Sequence, residues 1–152
     1  MTVREVCERA KENSAKLANY SCEERNEMLR ILARSLSEYQ EEILAENARD
    51  LAECTRPKQF LDRLRLDEKR LAGMAEGILE LVLLPDPTGI VLDRHTAKSG
   101  IRIEKISVPF GVVAIIYEAR PNVTADCIGL CIKSGNAVVL RGSREAFRSN
   151  RA

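Results

Sequence analysis

Two unbroken apolar runs lie close together in the second half of the sequence, VVAIIY at positions 112–117 and AVVL at positions 137–140. Such runs are typical of strands that are covered on both faces of a sheet. Residues 124–133 between them have the apolar spacing of a helix, and Gly135-Asn136 turns the chain into the second run. The pattern predicts a strand–helix–strand unit with parallel strands.

Details of this unit also follow from the sequence. Asn122 or Thr124 is the predicted helix cap, and the residues predicted to face inward are Ile128, Cys131 and Ile132. After position 140 come a tight turn and the first turns of a further helix, up to Ala152. Because two parallel strands cannot cover their own faces, we expect an incomplete domain and hence the N-terminal part of a longer protein.

Residues 89–93 and 101–108, which precede this unit, favour β-branched or alternating residues, and the polar stretch between them ends in KSG. A β-hairpin is therefore predicted. An isolated two-stranded ribbon is only marginally stable, so this hairpin needs another sheet or chain to lean on.

The first 85 residues predict three helices. Thr2 with Glu5, and Ser21 with Glu24, have the spacing of capping boxes. The second helix is expected to run to about Cys54, and the third to follow Asp67 and end before residue 85. The predicted inward residues are Val3, Val6, Ala10, Leu17 and Ala18; Met28, Leu29, Leu32, Leu36, Tyr39, Ile43, Ala48 and Leu51; and Leu71, Met74, Ala75, Ile78, Leu79 and Val82.

The composition is that of a globular α/β protein, with 45% hydrophobic and 31% charged residues among 152. A net charge of +1 argues against a dedicated binder of nucleic acid or membrane surfaces. The charge is uneven: 14 basic against 18 acidic residues up to Thr88, then 10 against 5. Anionic ligands are therefore expected in the second part. No signal peptide precedes the five cysteines, so we expect reduced thiols in the cytoplasm.

Several strings together resemble one enzyme family. They are VPFGV at 108–112, YEARPNVT at 117–124, KSGNA at 133–137 and RG at 141–142, with AENA at 45–48 and LDRL at 61–64. The sequence is similar over its whole length to the gamma-glutamyl phosphate reductase (glutamate-5-semialdehyde dehydrogenase) family, within the aldehyde dehydrogenase superfamily. The resemblance implies NADPH-dependent reduction of L-glutamyl 5-phosphate to glutamate 5-semialdehyde with release of phosphate, a step of proline biosynthesis.

The resemblance also divides the chain. Residues 1–85 would be the helical part of the cofactor-binding domain, residues 86–109 the β-hairpin of an oligomerisation arm, and residues 110–152 the start of a parallel-sheet, NADPH-binding α/β domain. The family's nucleophilic cysteine would lie beyond Ala152. The implied partners are the small-molecule substrate, further copies of the full-length enzyme and the preceding glutamate kinase, with neither nucleic acid nor membrane.

The resemblance assigns Asn122 as the catalytic donor to the oxyanion of the reacting acyl group. Its alternatives are a helix cap, a turn residue after Pro121, or part of the sequon Asn122-Val123-Thr124, which lacks an export signal. Arg120 is a candidate for binding the substrate's phosphate or carboxylate, or for a structural ion pair.

Arg141, Gly142, Ser143 and Arg144 are the implied cofactor-binding residues, with the two arginines pairing with the 2′-phosphate of NADPH. A solvated basic helix start is the alternative. The family has a second glycine where this chain has Ser143, and a positive φ there would strain a serine by about 1 kcal/mol.

Other reactive side chains receive no catalytic role. Cys127 and Cys131 have the spacing of a metal pair but no further ligands nearby, and packing is the expected role of the remaining cysteines as well. His95, the only histidine, is expected on the surface of the hairpin loop. Two other functions stay open, a non-catalytic nucleotide-phosphate-binding module and an assembly fragment. We expect the 152-residue chain alone to be inactive.

Overall fold

The computed structural model describes residues 2–152, which form a helical part, an antiparallel hairpin and a parallel strand–helix–strand unit. The elements in chain order are α1 (Val3–Ala18), α2 (Cys22–Glu38), α3 (Gln40–Glu53), α4 (Lys58–Leu64), α5 (Glu68–Leu83), β1 (Val91–Thr96), β2 (Arg102–Ile106), β3 (Val112–Ile116), α6 (Pro121–Lys133), β4 (Ala137–Arg141), a 3₁₀ helix (Arg144–Ala146) and α7 (Phe147–Arg151). The predicted α/β class and its order of parts are confirmed. Among these residues no helix is long and apolar enough to cross a membrane.

The predicted helix starts are confirmed by their capping bonds. The Glu5 N–H donates to the Thr2 hydroxyl, and the Glu5 carboxylate accepts from the Thr2 N–H in return. Ser21 and Glu24 repeat this capping box at the start of α2. The Asp67 carboxylate accepts from the Arg70 N–H at the start of α5, where the third helix was predicted.

The long second helix was predicted wrongly, because it is divided at Tyr39 into α2 and α3. Tyr39 leaves the helical conformation at φ −99° and ψ 17°, without a glycine or proline to announce it. The two helices have different partners: α2 packs on α5 and α6, whereas α3 packs on α7 and the 3₁₀ helix. Tertiary packing therefore sets this break. The short helix α4 then follows Pro57.

The main core lies between α2, α5 and α6. Leu29, Leu71 and Ile78 are almost completely buried there, as the apolar spacing predicted. Five other residues predicted to face inward are exposed, namely Val3, Ala18, Tyr39, Ala48 and Leu79. Val3 and Ala18 end α1, Tyr39 lies at the helix break, and the interior side of α3 buries polar residues next to Ala48.

The hairpin is confirmed, with β1 and β2 antiparallel and every residue of both strands exposed. His95 lies in β1 and not in the predicted loop, with its Nδ1 3.2 Å from the Asp93 carboxylate.

Near the base of the hairpin the buried Arg25 donates to the Asp86 carboxylate at 2.6 Å. Burial would raise the pKa of Asp86, but hydrogen bonds from Thr88 and the charge of Arg25 together lower it.

The strands β3 and β4 pair in parallel, as predicted. The expectation that both faces of β3 are covered is wrong for the described residues, since Ile116 is 84% exposed. Within these residues α1 and α6 pack on the pair. The predicted cap of α6 is also wrong. The helix begins at Pro121, which is well suited to a first helical position, so Asn122 and Thr124 lie inside the first turn.

Gly135 makes the turn between α6 and β4 in a backbone conformation that favours glycine, with φ +70°. A Cβ at this position would lie 2.9 Å from the Pro109 ring. The next residue, Asn136, accepts from the Gly111 N–H at 2.9 Å and so joins the starts of β3 and β4. The turn therefore sets the register of the parallel pair.

Replacing Gly135 by alanine should lower the free energy of unfolding by about 1–3 kcal/mol, because both the positive φ and the contact with Pro109 oppose a side chain. Urea denaturation of the 152-residue chain measures this change. Gly77→Ala is the control, since a Cβ on this α5 residue meets nothing within 4 Å, and it should not destabilise. Equal stability of the two variants would contradict the role of the turn.

Candidate active site

Two clefts open beside the carboxyl ends of β3 and β4, which meet at one edge because the strands are parallel. One, the Asn122 cleft, has a volume of about 390 Å³ and is lined by Arg63, Arg65, Arg70, Arg120, Asn122 and Asp126 among others. The other, the Arg141 cleft, has about 550 Å³ and is lined by Tyr117, Arg141, Gly142, Ser143, Arg144 and Arg151 among others. Ligands of open α/β sheets bind at this end of the strands.

Asn122 is half-buried at the second position of α6. Its Nδ2 donates to the Asp126 carboxylate, one turn further along the helix, at a long 3.5 Å. A primary amide has two N–H donors, so one remains for another acceptor in the cleft. Arg120, the residue before the helix, lines the same cleft and has an exposed side chain. The structure therefore brings these two predicted site residues together.

Asp126 is the acidic group closest to Asn122 along the helix. Burial raises the pKa of its carboxyl, and the hydrogen bond from Asn122 opposes that shift only in part.

The two cysteines of α6 behave similarly, because burial raises the pKa of both the Cys127 and the Cys131 thiols. A thiol with a raised pKa is a poor nucleophile at neutral pH. Neither cysteine has the environment of a catalytic thiolate, and the described residues contain no cluster of three metal-ligating side chains.

The opposite wall of the Asn122 cleft is the loop that joins α4 to α5. Buried Asn47 holds its backbone, donating to the Leu64 carbonyl at 2.9 Å and accepting from the Leu66 N–H at 2.8 Å. The Arg70 guanidinium donates to the Asp62 carbonyl at 2.7 Å and to the Arg65 carbonyl. The loop is thus fixed from both sides. Sequence analysis missed it as part of a site, because its cleft forms only when residues 62–74 meet residues 120–126.

Arg141, Gly142, Ser143 and Arg144, the residues predicted to bind the cofactor, line the Arg141 cleft together. A chain of hydroxyl and amide groups supports it, with the Thr124 hydroxyl 2.6 Å from the Tyr117 hydroxyl and donating to Asn150 at 2.8 Å. A Cβ on Gly142 would collide with the Asn150 amide, so a larger residue there requires the Asn150 side chain to move.

Ser143 does not have the positive φ that would have strained a serine at this position. Its backbone has φ −73° and ψ 160°, an extended conformation open to any residue, and the described positive-φ residues are all glycines elsewhere in the chain. The Ala146 N–H donates to the Ser143 carbonyl at 3.3 Å, which begins the 3₁₀ helix. Serine in place of the family's glycine is therefore compatible with this turn.

Unpaired arginines concentrate at the two clefts. Ten of the seventeen arginine side chains in residues 2–152 have partners within the chain. Of the other seven, Arg102 lies in the hairpin. The remaining six line the two clefts, and they are Arg63, Arg65, Arg120, Arg141, Arg144 and Arg151. Guanidinium groups bind carboxylates and phosphates in a bidentate manner. The charge of both clefts suits anionic ligands.

Comparison with solved structures first defines the fold class. A Bacillus subtilis protein described as an aldehyde dehydrogenase superposes with a TM-score of 0.69 at 18% identity, covering 93% of this chain and 30% of that one. Gamma-glutamyl phosphate reductase of Thermotoga maritima superposes with a TM-score of 0.94 at 35% identity, and the match covers 97% of this chain and 36% of that one. The enzyme of the same name from Saccharomyces cerevisiae gives 0.92 at 30% identity, covering 99% and 40%. The fold is that of the aldehyde dehydrogenases.

Curated relatives narrow the class further. Gamma-glutamyl phosphate reductase of Moorella thermoacetica is 51% identical over 148 residues, which are 95% of this chain and 35% of that protein. The Koribacter versatilis protein of that name is 52% identical over 150 residues, 99% and 37% respectively. No family model matches the chain. The homologues that match this chain over almost its whole length are thus gamma-glutamyl phosphate reductases, and the chain spans about a third of the length of these curated relatives.

Proposed function

We propose that this chain forms part of an enzyme that reduces L-glutamyl 5-phosphate to L-glutamate 5-semialdehyde and releases phosphate, in the cytoplasm and as a step of proline biosynthesis. One observation carries the proposal beyond the sequence similarity: Asn122 and Arg120 share a cleft rich in unpaired arginines at the carboxyl edge of the strands. An amide donor beside cationic groups suits the reduction of an anionic acyl phosphate.

The proposed reaction begins with a cysteine thiolate from a part of the enzyme outside these 152 residues. Its sulfur adds to the acyl carbon, and phosphate leaves with the electrons of the C–O bond, which forms a thioester. Negative charge develops on the former carbonyl oxygen in this step and again when the thioester is reduced. The free N–H of Asn122 would donate to that oxygen both times. Release of the thiolate then gives the aldehyde.

The cofactor proposed for the reduction is NADPH, which supplies the hydride when bound. The Arg141 cleft fits its adenosine end, because three arginines and no acidic residue line the cleft. Arg141 and Arg144 would pair with the 2′-phosphate, while Gly142 and Ser143 let the backbone approach the ribose. Residues 1–85 and 110–152 would together build the cofactor-binding domain.

A completed enzyme tests this function. It joins the 152 residues to the part of the Moorella thermoacetica relative that lies beyond the match, and it is assayed in reverse for NADP reduction with glutamate 5-semialdehyde and phosphate. We expect turnover from the completed enzyme and none above background from the 152 residues alone. A folded completed enzyme without turnover, beside an active relative, would overturn the proposal. Nucleotide binding by this inactive protein would then favour a non-catalytic module.

The choice of NADPH has its own test in the completed enzyme. Replacing Arg141 or Arg144 by glutamine should raise the KM for NADP about ten- to a hundredfold, the expected loss for a hydrogen-bonded charge pair. The KM for NAD, which has no 2′-phosphate, should change little. Arg102→Gln removes the same charge from the hairpin and serves as control. Equal effects on NADP and NAD would contradict the assignment.

The hairpin is proposed as the oligomerisation arm, residues 86–109. Its strands are exposed along their whole length, including Val91, Ile103 and Ile106, and such edges favour pairing with another strand. The completed enzyme should sediment as a homo-oligomer, and deleting residues 91–106 should give a monomer.

Association with the kinase that makes the acyl phosphate is proposed too, and cross-linking of the two purified enzymes tests it.

A further inference from the structure

We propose that Arg63 and Arg65 act with Arg120 to bind the phosphate group that leaves during the reaction, so that the end of α4 and the loop after it form the phosphate-binding wall of the Asn122 cleft. This inference rests on the proposed function and extends it to two residues that the sequence did not single out. Three steps support it: the state of the arginine side chains, the rigidity of the loop, and the chemistry of the substrate.

The first step concerns the arginine side chains. Of the four arginines that line the Asn122 cleft, Arg70 alone makes side-chain bonds within the described chain, to Asp62 and to two carbonyl groups. Arg63, Arg65 and Arg120 have no hydrogen bond or ion pair through their guanidinium groups there. The two acidic residues of the cleft do not neutralise them, since Asp62 faces Arg70 at 3.3 Å and Asp126 accepts from Asn122. Three guanidinium groups therefore keep their full capacity for an anion.

The second step concerns the loop backbone. Leu64, between the two arginines, is completely buried, and its carbonyl accepts from buried Asn47. Arg63 lies in the last turn of α4 and Arg65 is the residue that follows the helix; both are exposed. Both residues line the cleft, and the Arg70 guanidinium donates to the Arg65 carbonyl. A fixed backbone lowers the conformational entropy lost when the side chains bind an anion.

The third step concerns the substrate. Its phosphate is one oxygen atom away from the carbon that reacts beside Asn122, whereas its carboxylate is several carbon atoms away. The arginines line the same cleft as Asn122, so we assign the phosphate, the anionic group nearer to the reacting carbon, to them. As the C–O bond breaks, the departing phosphate takes the bonding electrons and gains charge. Arginines at this place stabilise the leaving group as well as the bound substrate.

The completed enzyme, assayed in reverse, separates the two anionic groups, because phosphate and glutamate 5-semialdehyde are then different substrates. Arg63→Gln and Arg65→Gln should each raise the KM for phosphate about tenfold or more, and the double variant should raise it further. The KM for the semialdehyde, which has the carboxylate but no phosphate, should change less than threefold. Arg102→Gln should leave both values unchanged.

A larger effect on the semialdehyde than on phosphate would overturn the proposal and place the carboxylate at these arginines. Unchanged values for both substrates in an active enzyme would overturn it as well, while the proposed function would stand. Loss of all turnover in the unsubstituted completed enzyme would instead contradict the function.

If the completed enzyme shows no turnover, a binding measurement still tests the inference. Inorganic phosphate is titrated into the 152-residue chain, and the NMR signals of the arginine Nε–H groups and of the Asn122 amide are followed. We expect saturable shifts at Arg63, Arg65 and Arg120 that the double variant loses and Arg102→Gln keeps. No shift, or shifts equal to those of Arg102, would contradict the site.

Discussion

Asn122→Ala in the completed enzyme should lower kcat about a hundred- to a thousandfold, the usual loss when one donor to an oxyanion is removed. The KM values should change little, because such a donor stabilises the transition state more than the bound substrate. The structure removes the competing explanation by a helix cap, since Asn122 lies inside the first turn of α6 and makes only a long bond to Asp126. The free energy of unfolding should stay within about 0.5 kcal/mol, as for most surface substitutions.

Two further variants sharpen this test. Asn122→Asp should be at least as damaging, because it puts a carboxylate beside the developing oxyanion and one helical turn from Asp126. Asn13→Ala, on α1, removes an asparagine whose amide makes only exposed bonds, donating to the Arg9 carbonyl at 2.9 Å and accepting from the Lys16 ammonium at 3.4 Å, and it should leave turnover unchanged. Near-normal turnover in Asn122→Ala would show that the residue does not take part in the chemistry.

Asn47→Ala should lower the free energy of unfolding of the 152-residue chain by about 3 kcal/mol. The side chain is 1% exposed and joins the Leu64 carbonyl, the Leu66 N–H and the Ser149 hydroxyl. Its loss leaves buried backbone groups of the cleft loop without partners, at about 1–3 kcal/mol each. Urea denaturation measures the change.

The control for this second prediction is again Asn13→Ala, which should cost little because its bonds are exposed. Asn47→Asp is the informative variant, since the carboxylate can still accept from the Leu66 N–H but can no longer donate to the Leu64 carbonyl. Its stability should fall as well. A change below about 1 kcal/mol in Asn47→Ala would mean that the loop is held by its apolar contacts instead.

Local chemistry predicted much of this fold. The caps at Thr2, Ser21 and Asp67 are short-range hydrogen bonds between neighbouring residues, so their sequence spacing is sufficient. The break at Tyr39 could not be predicted in this way, because no residue there disfavours a helix and the break depends on which elements pack against α2 and α3. The coverage of β3 was predicted wrongly for a similar reason, since an apolar run shows which side chains favour burial and not which part of a protein covers them.

The candidate site likewise contains residues that the sequence could identify and residues that it could not. Arg141 to Arg144 are contiguous, and any turn at that place brings them together. Asn122 was singled out only by resemblance, because an asparagine after a proline is otherwise a typical turn or cap residue. Arg63 lies in the string LDRL, which resembles the family, but nothing local marks Arg63 or Arg65 as a site residue. They reach Asn122 across almost sixty residues of sequence, through the packing of α5 on α6.

The contacts of Ser149 have a consequence for the time course of folding during synthesis. Ser149 donates to Asp50 at 2.6 Å and accepts from Asn47 at 3.0 Å, across 99 and 102 positions of sequence. Ribosomes add about 5–20 residues per second, so α3 waits on the order of 5–20 s for these partners to be made. During that interval Asp50 lacks its bonds from Ser149, and Asn47 has only its bonds to Leu64 and Leu66. The polar contacts of α3 with α7 therefore form only after about a hundred further residues have been translated.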